Sequence, residues 1–335
     1  MTTATGAGGL MPDRHPTGDF FVCDLFGASP KDDLGTMEHP IFSLSTRPDR
    51  RILNYTHNGV EVSVTPSVKG RATIHDKDIL IYCISQLVAA LNAGRAISRT
   101  LTLRAHDLLV ATNRDTSGDG YTRLKEAFER LAGTRITTNI QTGGMETTSG
   151  FGLIEAWEIR RRSRGGRMVS VSVTLSDWLF RAVEARSVLT LSRDYFRLRK
   201  PLERRIYELA RKHCGRQPAW KISLATLHKK AGSAAPIRVF RAAMRRMAAE
   251  NHLPDYEMIE GEGDIYQFSR RETVTEPVPR DALMPQTLDA ARALWPGADV
   301  YALEAEWRAG AAARGPGGDG NKAFLNWVRA RRSAG

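Results

Sequence analysis

The chain has 335 residues, of which 41% are hydrophobic and 26% charged, so it has the composition of a folded protein of about two domains rather than a disordered one. No run approaches the roughly 18 apolar residues of a membrane helix, and the first ten residues do not form a secretory signal. Cys23, Cys83 and Cys214 lie far apart, which argues against a disulfide framework and a CxxC zinc site. We therefore expect a cytoplasmic protein that binds no metal and no membrane.

The positive charge is concentrated in one segment. The formal net charge is +12 at pH 7. Residues 181–250 contain 18 Lys or Arg and five Asp or Glu, whereas the rest of the chain contains 31 and 32. A charge that served only solubility would be spread evenly, so this distribution predicts a surface for a polyanion such as nucleic acid.

The first half of the chain contains an irregular arm and then a mixture of helices and strands. Residues 1–40 are predicted to form the arm and 41–180 the first domain. Alternation around Asn58 and Gly59 predicts a β-hairpin, and the apolar run 79–91 predicts a buried helix. The segments predicted after it are a strand at 100–103, helices at 105–112 and 119–132, and strands at 135–140, 152–161 and 168–175.

The second domain, residues 181–271, repeats this order. It is predicted to contain a helix at 202–213, a strand at 220–224, helices at 224–230 and 237–250, and a hairpin of 256–259 with 265–268. Leu101 and Ile222 differ by 121 positions and Leu124 and Phe240 by 116, which indicates an internal duplication. Because helix–strand–helix–helix–hairpin is the order of a winged helix, we predict an α+β fold of tandem winged-helix (helix-turn-helix) domains. The alternative is two unrelated α/β units with generic patterns.

The C-terminal residues are predicted to form a small helical appendage. Residues 272–285 contain three prolines and are typical of a linker, and residues 286–335 form the small helical C-terminal module. Its last helix, 322–332, is basic and amphipathic. The module either packs on itself or docks a helicase or DNA.

The helix predicted at 237–250 carries the strongest DNA-binding pattern. Arg238, Arg241 and Arg245 follow one another at helical spacing, Arg246 is adjacent, and no acidic residue occurs before Glu250. The second helix of a helix-turn-helix enters the major groove, where guanidinium groups bind guanine edges and phosphates. The residues expected to extend this contact are Lys229, Lys230, Ser233, Lys200, Arg204, Arg205, Arg211 and Lys212. For those in helix 202–213, surface packing is the alternative role.

The corresponding helix of the first domain has a weaker pattern. Its cations Arg123 and Lys125 are interleaved with acidic residues that favour ion pairs along the helix. Base reading, dimerisation, and phosphate contact by Arg135 therefore remain alternatives. Arg161, in an arginine cluster at a Gly-rich turn, is expected either to touch phosphate as part of a wing or to lie in a solvated loop.

Motifs for catalysis are weak or absent. The sequence has no GxxxxGK[ST] phosphate loop and no HxH. His213 and Arg216 form an HxxR pair, part of the tyrosine-recombinase signature, with Tyr256 as a possible nucleophile. Because two residues match by chance very often, we predict a protein that is not an enzyme and needs no cofactor, with a tyrosine-dependent nickase or recombinase as a lesser alternative.

Several long runs, in order, resemble the replication initiator protein A family of plasmids. They span about residues 20–271 and include KDD at 31–33, MEHPIFSL at 37–44, IHDKDILIYCISQL at 74–87, LVATNR at 109–114, TLSDWLF at 174–180, DYFRLRKPLERRIYELARKHCG at 194–215 and LPDY at 253–256. The resemblance implies an initiator that binds double-stranded DNA at repeated origin sites (iterons), opens the origin without hydrolysing ATP and recruits the host initiator and replicative helicase.

The resemblance also implies a homodimer in equilibrium with a monomer, and association with the nucleoid or the plasmid. A winged-helix transcriptional repressor that binds an operator without opening it is the alternative function.

Overall fold

The computed structural model describes residues 29–271 except 58, 143–144, 162–167 and 216, together with 10–12, 14, 287, 290–291, 294–295, 303, 307 and 320–333. The chain divides into two units, residues 1–271 and 272–335. The predicted linker 272–285, the arginines at 162, 164 and 167, and most of the predicted arm lie outside the described residues.

The helices of the described residues follow the predicted order, with two additions. They are α1 (Leu34–Glu38), α2 (Lys77–Asn92), α3 (Ala105–Ala111), α4 (Gly118–Gly133), α5 (Asp177–Glu184), α6 (Pro201–Cys214), α7 (Leu224–Ala231), α8 (Ile237–Glu250) and α9 (Gly320–Ser333). The additions are α1 and α5. None of these helices is long and apolar enough to cross a membrane.

The strands form four antiparallel sheets among the described residues. They are β1 (Lys31–Asp33), β2 (Leu53–His57), β3 (Val60–Thr65), β4 (Thr100–Arg104), β5 (Arg135–Thr142), β6 (Met145–Gly152), β7 (Ile154–Arg161), β8 (Met168–Leu175), β9 (Val188–Thr190), β10 (Ala219–Ser223), β11 (Tyr256–Glu260) and β12 (Ile265–Arg270). The strand orders are β1-β9, β2-β3-β5-β6, β4-β8-β7 and β10-β12-β11. The predicted hairpins β2–β3 and β11–β12 are confirmed.

The two halves of unit 1 share one arrangement. The series α2, β4, α3, α4 and hairpin β7–β8 is matched by α6, β10, α7, α8 and hairpin β11–β12, and in both three-stranded sheets the last strand of the hairpin is central. Leu103 pairs with Val171, and Ile222 occupies the same place opposite Tyr266. The strands are thus offset by 119 residues (Leu103 against Ile222), and the predicted offset of 121 is wrong.

One hairpin interrupts the duplication. β5 and β6 pair along Arg135–Gly152 and join β2 and β3 in a sheet that has no counterpart between α8 and β11. β6 is not predicted from the sequence, because its residues, METTSGFG, lack an alternating apolar pattern.

Helix α6 lies at the centre of unit 1. Pro201 occupies its first turn, and the Glu203 side chain accepts a hydrogen bond from the Lys200 backbone N–H at 3.2 Å, as in a capping box. All residues from Glu203 to Ala210 are buried, so both its polar and its apolar sides face protein. β1 and α1 belong to this core, with Asp33 and Met37 buried, so residues 31–38 of the mostly irregular arm that the sequence predicts form regular structure.

Unit 2 has its own small apolar cluster. Phe324 and Val328 on α9 are buried with Ala291 and Leu303. The ring of Trp307 meets that of Phe324 edge-on at 5.5 Å. The spacing of the two α9 residues places them one turn apart on the same face, as the amphipathic pattern predicts.

Candidate nucleic-acid interface

Helix α8 separates an apolar face from a basic one. Phe240, Met244 and Met247 are buried, whereas Arg238 and Arg246 are exposed. The preceding α7 is followed by Gly232, whose φ is +65° and whose added Cβ would lie 2.4 Å from Pro40 Cβ. Only glycine fits this turn. This glycine turn therefore connects α7 to α8, and the arginines of α8 lie on its outer side.

Two arginines of α8 are bound to the hairpin β11–β12. Arg241 donates to both carboxylate oxygens of Asp264 at 3.0 and 2.7 Å, and Arg245 donates to Glu260 at 2.9 and 3.1 Å. Arg241 lowers the pKa of the Asp264 carboxyl. The charges along α8 alone do not predict these contacts, because the two acids lie at the end of β11 and in the turn before β12.

Five predicted contacts around α8 and α6 lie at or near the surface, and their neighbours differ. Arg238, Arg246 and Lys229 are exposed and form no ion pair with the described residues. Ser233 accepts a hydrogen bond from the Ala235 backbone N–H. Lys200 is exposed, but its Nζ lies 2.8 Å from Glu203 Oε1 and 3.7 Å from Glu250 Oε2.

Arg204 and Arg205 are buried, and their assignment to DNA is corrected. Each is 3% exposed. Arg204 bonds Asp78 Oδ1 at 2.6 Å and the Leu198 carbonyl at 3.0 Å. Arg205 donates to the Met37 carbonyl at 2.9 Å and to other carbonyls of α1 and α7. Their guanidinium groups satisfy buried acceptors between the halves of unit 1 and cannot reach a duplex in this fold.

Two further predicted DNA contacts, Lys212 and Lys230, are paired with Glu38. Glu38 forms ion pairs with Lys212 at 2.6 Å and with Lys230, which is 6% exposed. Although burial opposes it, hydrogen bonds from these lysines and from His213 hold the pKa of Glu38 well below its usual range. Arg211 donates to the Thr190 carbonyl at 2.6 Å. Lys230 is thus corrected to a structural role, and Lys212 and Arg211 have partners within the fold.

A second buried cluster joins the same elements. Lys77 Nζ of α2 lies 2.6 Å from Asp32 Oδ2 and 3.0 Å from Glu208 Oε1, and all three side chains are at most 1% exposed. Tyr195 donates to the same Glu208 oxygen at 2.7 Å. Burial, opposed by Lys77 and reinforced by Glu208, raises the pKa of Asp32 to about 8. The runs that carried the family resemblance, at 31–33, 74–87 and 194–215, therefore meet in the core.

The predicted contacts of the first half remain at the surface. Arg123, Arg135 and Arg161 are exposed. Lys125 Nζ lies 3.7 Å from Glu129. This ion pair along α4 follows the i,i+4 spacing that the sequence predicts.

A histidine between two carboxylates is the candidate cation site of the described residues. Glu203, Glu250 and His252 place possible ligand atoms within 4.8 Å of one another. Glu203 faces His252 Nε2 at 3.2 Å, whereas Glu250 faces Nδ1 at 3.4 Å. One ion cannot use both ring nitrogens of a histidine, so this geometry fits ion pairing better than a metal centre.

Tyr256 is poorly placed to act as a nucleophile. It is 1% exposed, and burial raises the pKa of its hydroxyl. Its ring lies against that of Tyr207, at 5.9 Å between centroids. A DNA phosphate cannot approach the oxygen without a rearrangement of this core.

Comparisons with known proteins agree with the arrangement of unit 1. Residues 31–258 match the family described as Replication initiator protein A. A putative replication protein of Wigglesworthia glossinidia brevipalpis is 38% identical over 258 residues, which cover 76% of this chain and 94% of that protein.

Two crystal structures of domains 2 and 3 of RctB have a similar fold. The first, a selenomethionine derivative, has a TM-score of 0.53 at 15% identity and covers 73% of this chain and 99% of that one. The second has a TM-score of 0.50 at 15% identity and covers 70% and 96%. The segment that matches the family contains both duplicated halves up to β11, and the Wigglesworthia protein aligns with this chain over most of its length. The chain therefore belongs to the replication initiator protein A family.

Proposed function

We propose that the chain initiates replication by binding repeated sites at a plasmid origin through tandem winged-helix domains. The observation that carries this proposal is the outer face of α8, where Arg238 and Arg246 are exposed and form no ion pair with the described residues. The α7–α8 turn and the hairpin β11–β12 that follows α8 support the winged-helix interpretation. In this proposal α8 enters the major groove and the hairpin contacts the adjacent backbone.

The start of α8 is suited to reading base pairs. Ile237 and Val239 are 40% and 48% exposed, on either side of Arg238. An arginine binds guanine O6 and N7, and an exposed aliphatic side chain packs against a thymine methyl group. Arg241 and Arg245 join the contact when they release Asp264 and Glu260 and bind DNA instead, which costs little because solvent screens these ion pairs.

We further propose that the protein is not an enzyme and opens the origin by binding alone. The burial of Tyr256 supports this against a tyrosine nickase. Protomers that fill neighbouring sites deform the duplex, and the cost of deformation is lowest in A·T-rich DNA with flexible steps. The proposal includes a monomer–dimer equilibrium, recruitment of the host initiator and replicative helicase, and a cytoplasmic location on the plasmid.

Footprinting of the purified protein on its upstream DNA, across a salt series, tests the binding mode. We expect several regularly spaced protected repeats and an affinity that falls steeply as salt rises. A single protected palindrome over the promoter would instead indicate the repressor.

A supercoiled plasmid carrying the same DNA tests the mechanism. We expect permanganate-reactive thymines beside the repeats without strand breaks. A covalent tyrosine–DNA adduct would establish the nickase, and the absence of both signals would leave a repressor.

A further inference from the structure

A basic cleft lies between the two halves of unit 1. Its volume is about 630 Å³, and it is bounded by the first turns of α4, the loop 45–48, residues 112–115 and the segment 196–199 before α6. Seven arginines line it: Arg14, Arg47, Arg114, Arg123, Arg130, Arg199 and Arg204. No residue of α8 lines this cleft.

Two of the four acids of the cleft, Asp76 and Asp78, are paired with arginines at its floor. Asp76 accepts two hydrogen bonds from Arg130, at 2.7 and 2.8 Å. Asp78 is bound by Arg204 at 2.6 Å and lies 3.3 Å from Arg114. Removing the carboxylates from water and pairing them in this way leaves their charge unavailable to the arginines at the rim.

The rim carries the excess charge. Arg14, Arg47, Arg123 and Arg199 are exposed, and none of them forms an ion pair with a carboxylate of the described residues. The acids that also line the cleft are Asp115 and Glu126. The hydroxyl and backbone N–H of Ser117 bind Asp115 and lower its pKa, with smaller contributions from Arg14 and Arg123. Seven arginines against four acids leave an excess of three positive charges.

His75 adds no charge to the cleft. Burial, together with the nearby Arg204 and Arg114, lowers the pKa of His75 to about 2. The cleft therefore presents guanidinium groups as its cations over the neutral pH range. Guanidinium groups form paired, charge-assisted hydrogen bonds with phosphate oxygens.

The cleft also lies on a path between the two helices predicted to face DNA. Arg123 projects from α4. At the opposite side Arg199 is followed by Lys200, which lines a small depression together with Arg246 of α8. Glu203 and Glu250 line the same depression and pair with Lys200, so the path from α4 through the cleft to α8 carries its free positive charge on Arg123, Arg199 and Arg246.

We propose that this cleft binds phosphate groups, supplied by the DNA backbone between the two helices. The DNA source rests on the proposed function. A free nucleotide carries the same phosphate chemistry and fits the volume of the cleft, so the experiment must separate the two sources.

A double variant, Arg47→Ala with Arg199→Ala, tests the site. The matched control is a second double variant, Arg95→Ala with Arg104→Ala, in which both arginines are exposed and lie outside the cleft. For the cleft variant, we expect the slope of log affinity against log salt to become shallower by about 2 on both origin and scrambled duplexes, because two phosphate contacts are lost. The footprint should keep its positions. Unchanged thermal unfolding, expected for exposed residues, excludes misfolding, and Arg123→Gln provides a second variant with a slope change of about 1.

Calorimetric titration with inorganic pyrophosphate and with ATP forms the second arm. Pyrophosphate binding that the cleft variant loses, with an unchanged DNA slope, would support the phosphate site but assign it to a free nucleotide. Equal DNA slopes for the cleft and control variants, together with no pyrophosphate binding, would overturn the proposal. If the wild-type protein shows no preference for origin DNA, the proposed function fails, while the random-duplex slope and the pyrophosphate titration still decide the site.

Discussion

Arg204 and Arg238 belong to the same basic segment, but their surroundings give them different roles. Arg204 is 3% exposed and bonded to Asp78 on α2. Arg238 is exposed on α8. A buried guanidinium that satisfies acceptors stabilises the fold, whereas an exposed one can exchange water for a phosphate or a base edge.

Replacing Arg238 by Ala should weaken binding to origin DNA by about 1–3 kcal/mol and relax the sequence preference, because a base contact is lost. Fluorescence anisotropy with origin and scrambled duplexes measures both effects. Arg95→Ala, at an exposed position outside α8, is the control. Equal losses on the two duplexes would refute base reading by Arg238.

Replacing Arg204 by Ala should lower the free energy of unfolding by about 3–5 kcal/mol, because Asp78 would keep a buried charge without its closest partner. Urea unfolding measures this loss, with the exposed Arg199→Ala as the comparison. A variant of normal stability that binds all DNA more weakly would instead return Arg204 to the interface.

His75 should make the folded protein less stable as the pH falls. Its pKa is about 2 in the folded state, against an ordinary value of about 6.5, so the unfolded chain binds more protons between these values. The stability of the wild type relative to His75→Gln should therefore be constant above about pH 6.5 and fall by about 1.4 kcal/mol per pH unit below pH 6. Urea unfolding from pH 4 to 8 measures this difference, and a difference independent of pH would contradict it.

At the scale of elements, local sequence patterns predicted the helices and strands that bury one periodic face. Phe240, Met244 and Met247 form the buried stripe of α8, as their spacing predicts. The pairing of β1 with β9 joins Lys31 to Thr190, and no local pattern reports a contact between segments so far apart. The connection of α8 to its hairpin through Asp264 and Glu260 was missed for the same reason.

Replacing Asp264 by Asn should raise the affinity for DNA modestly, because Arg241 no longer has to leave a solvent-screened ion pair. Arg241→Ala should have the opposite effect. Binding of both variants to origin DNA at two salt concentrations measures the change, and Asp119→Asn, an exposed acid on α4, is the control. A lower affinity for Asp264→Asn would indicate that this ion pair positions the hairpin for DNA.

At the scale of the whole molecule, the two halves of unit 1 share one core and unit 2 has its own. Lys77 of α2 and Glu208 of α6 meet in a buried ion pair, which ties one half of the duplication to the other. Phe324 and Val328 pack instead within residues 272–335.

Deleting residues 272–335 should therefore leave the thermal unfolding of unit 1 and its footprint on origin DNA unchanged. Calorimetry and footprinting of the shortened chain measure this, and plasmid replication in cells reports whether the C-terminal unit docks another protein. Loss of the footprint would place a DNA contact in the C-terminal unit.

The sequence by itself determined the family, the order of the duplicated helices with the hairpins β2–β3 and β11–β12, and the segment that holds the excess positive charge, because local patterns or ordered runs report each of these. Only the tertiary structure decided which positively charged side chains are exposed and able to bind DNA. Asp32, Glu38 and Asp78, all from the first third of the chain, are buried or partly buried against Lys77, Lys230 and Arg204. Ion pairs depend on distance in space and on exclusion of water, neither of which a count along the chain contains.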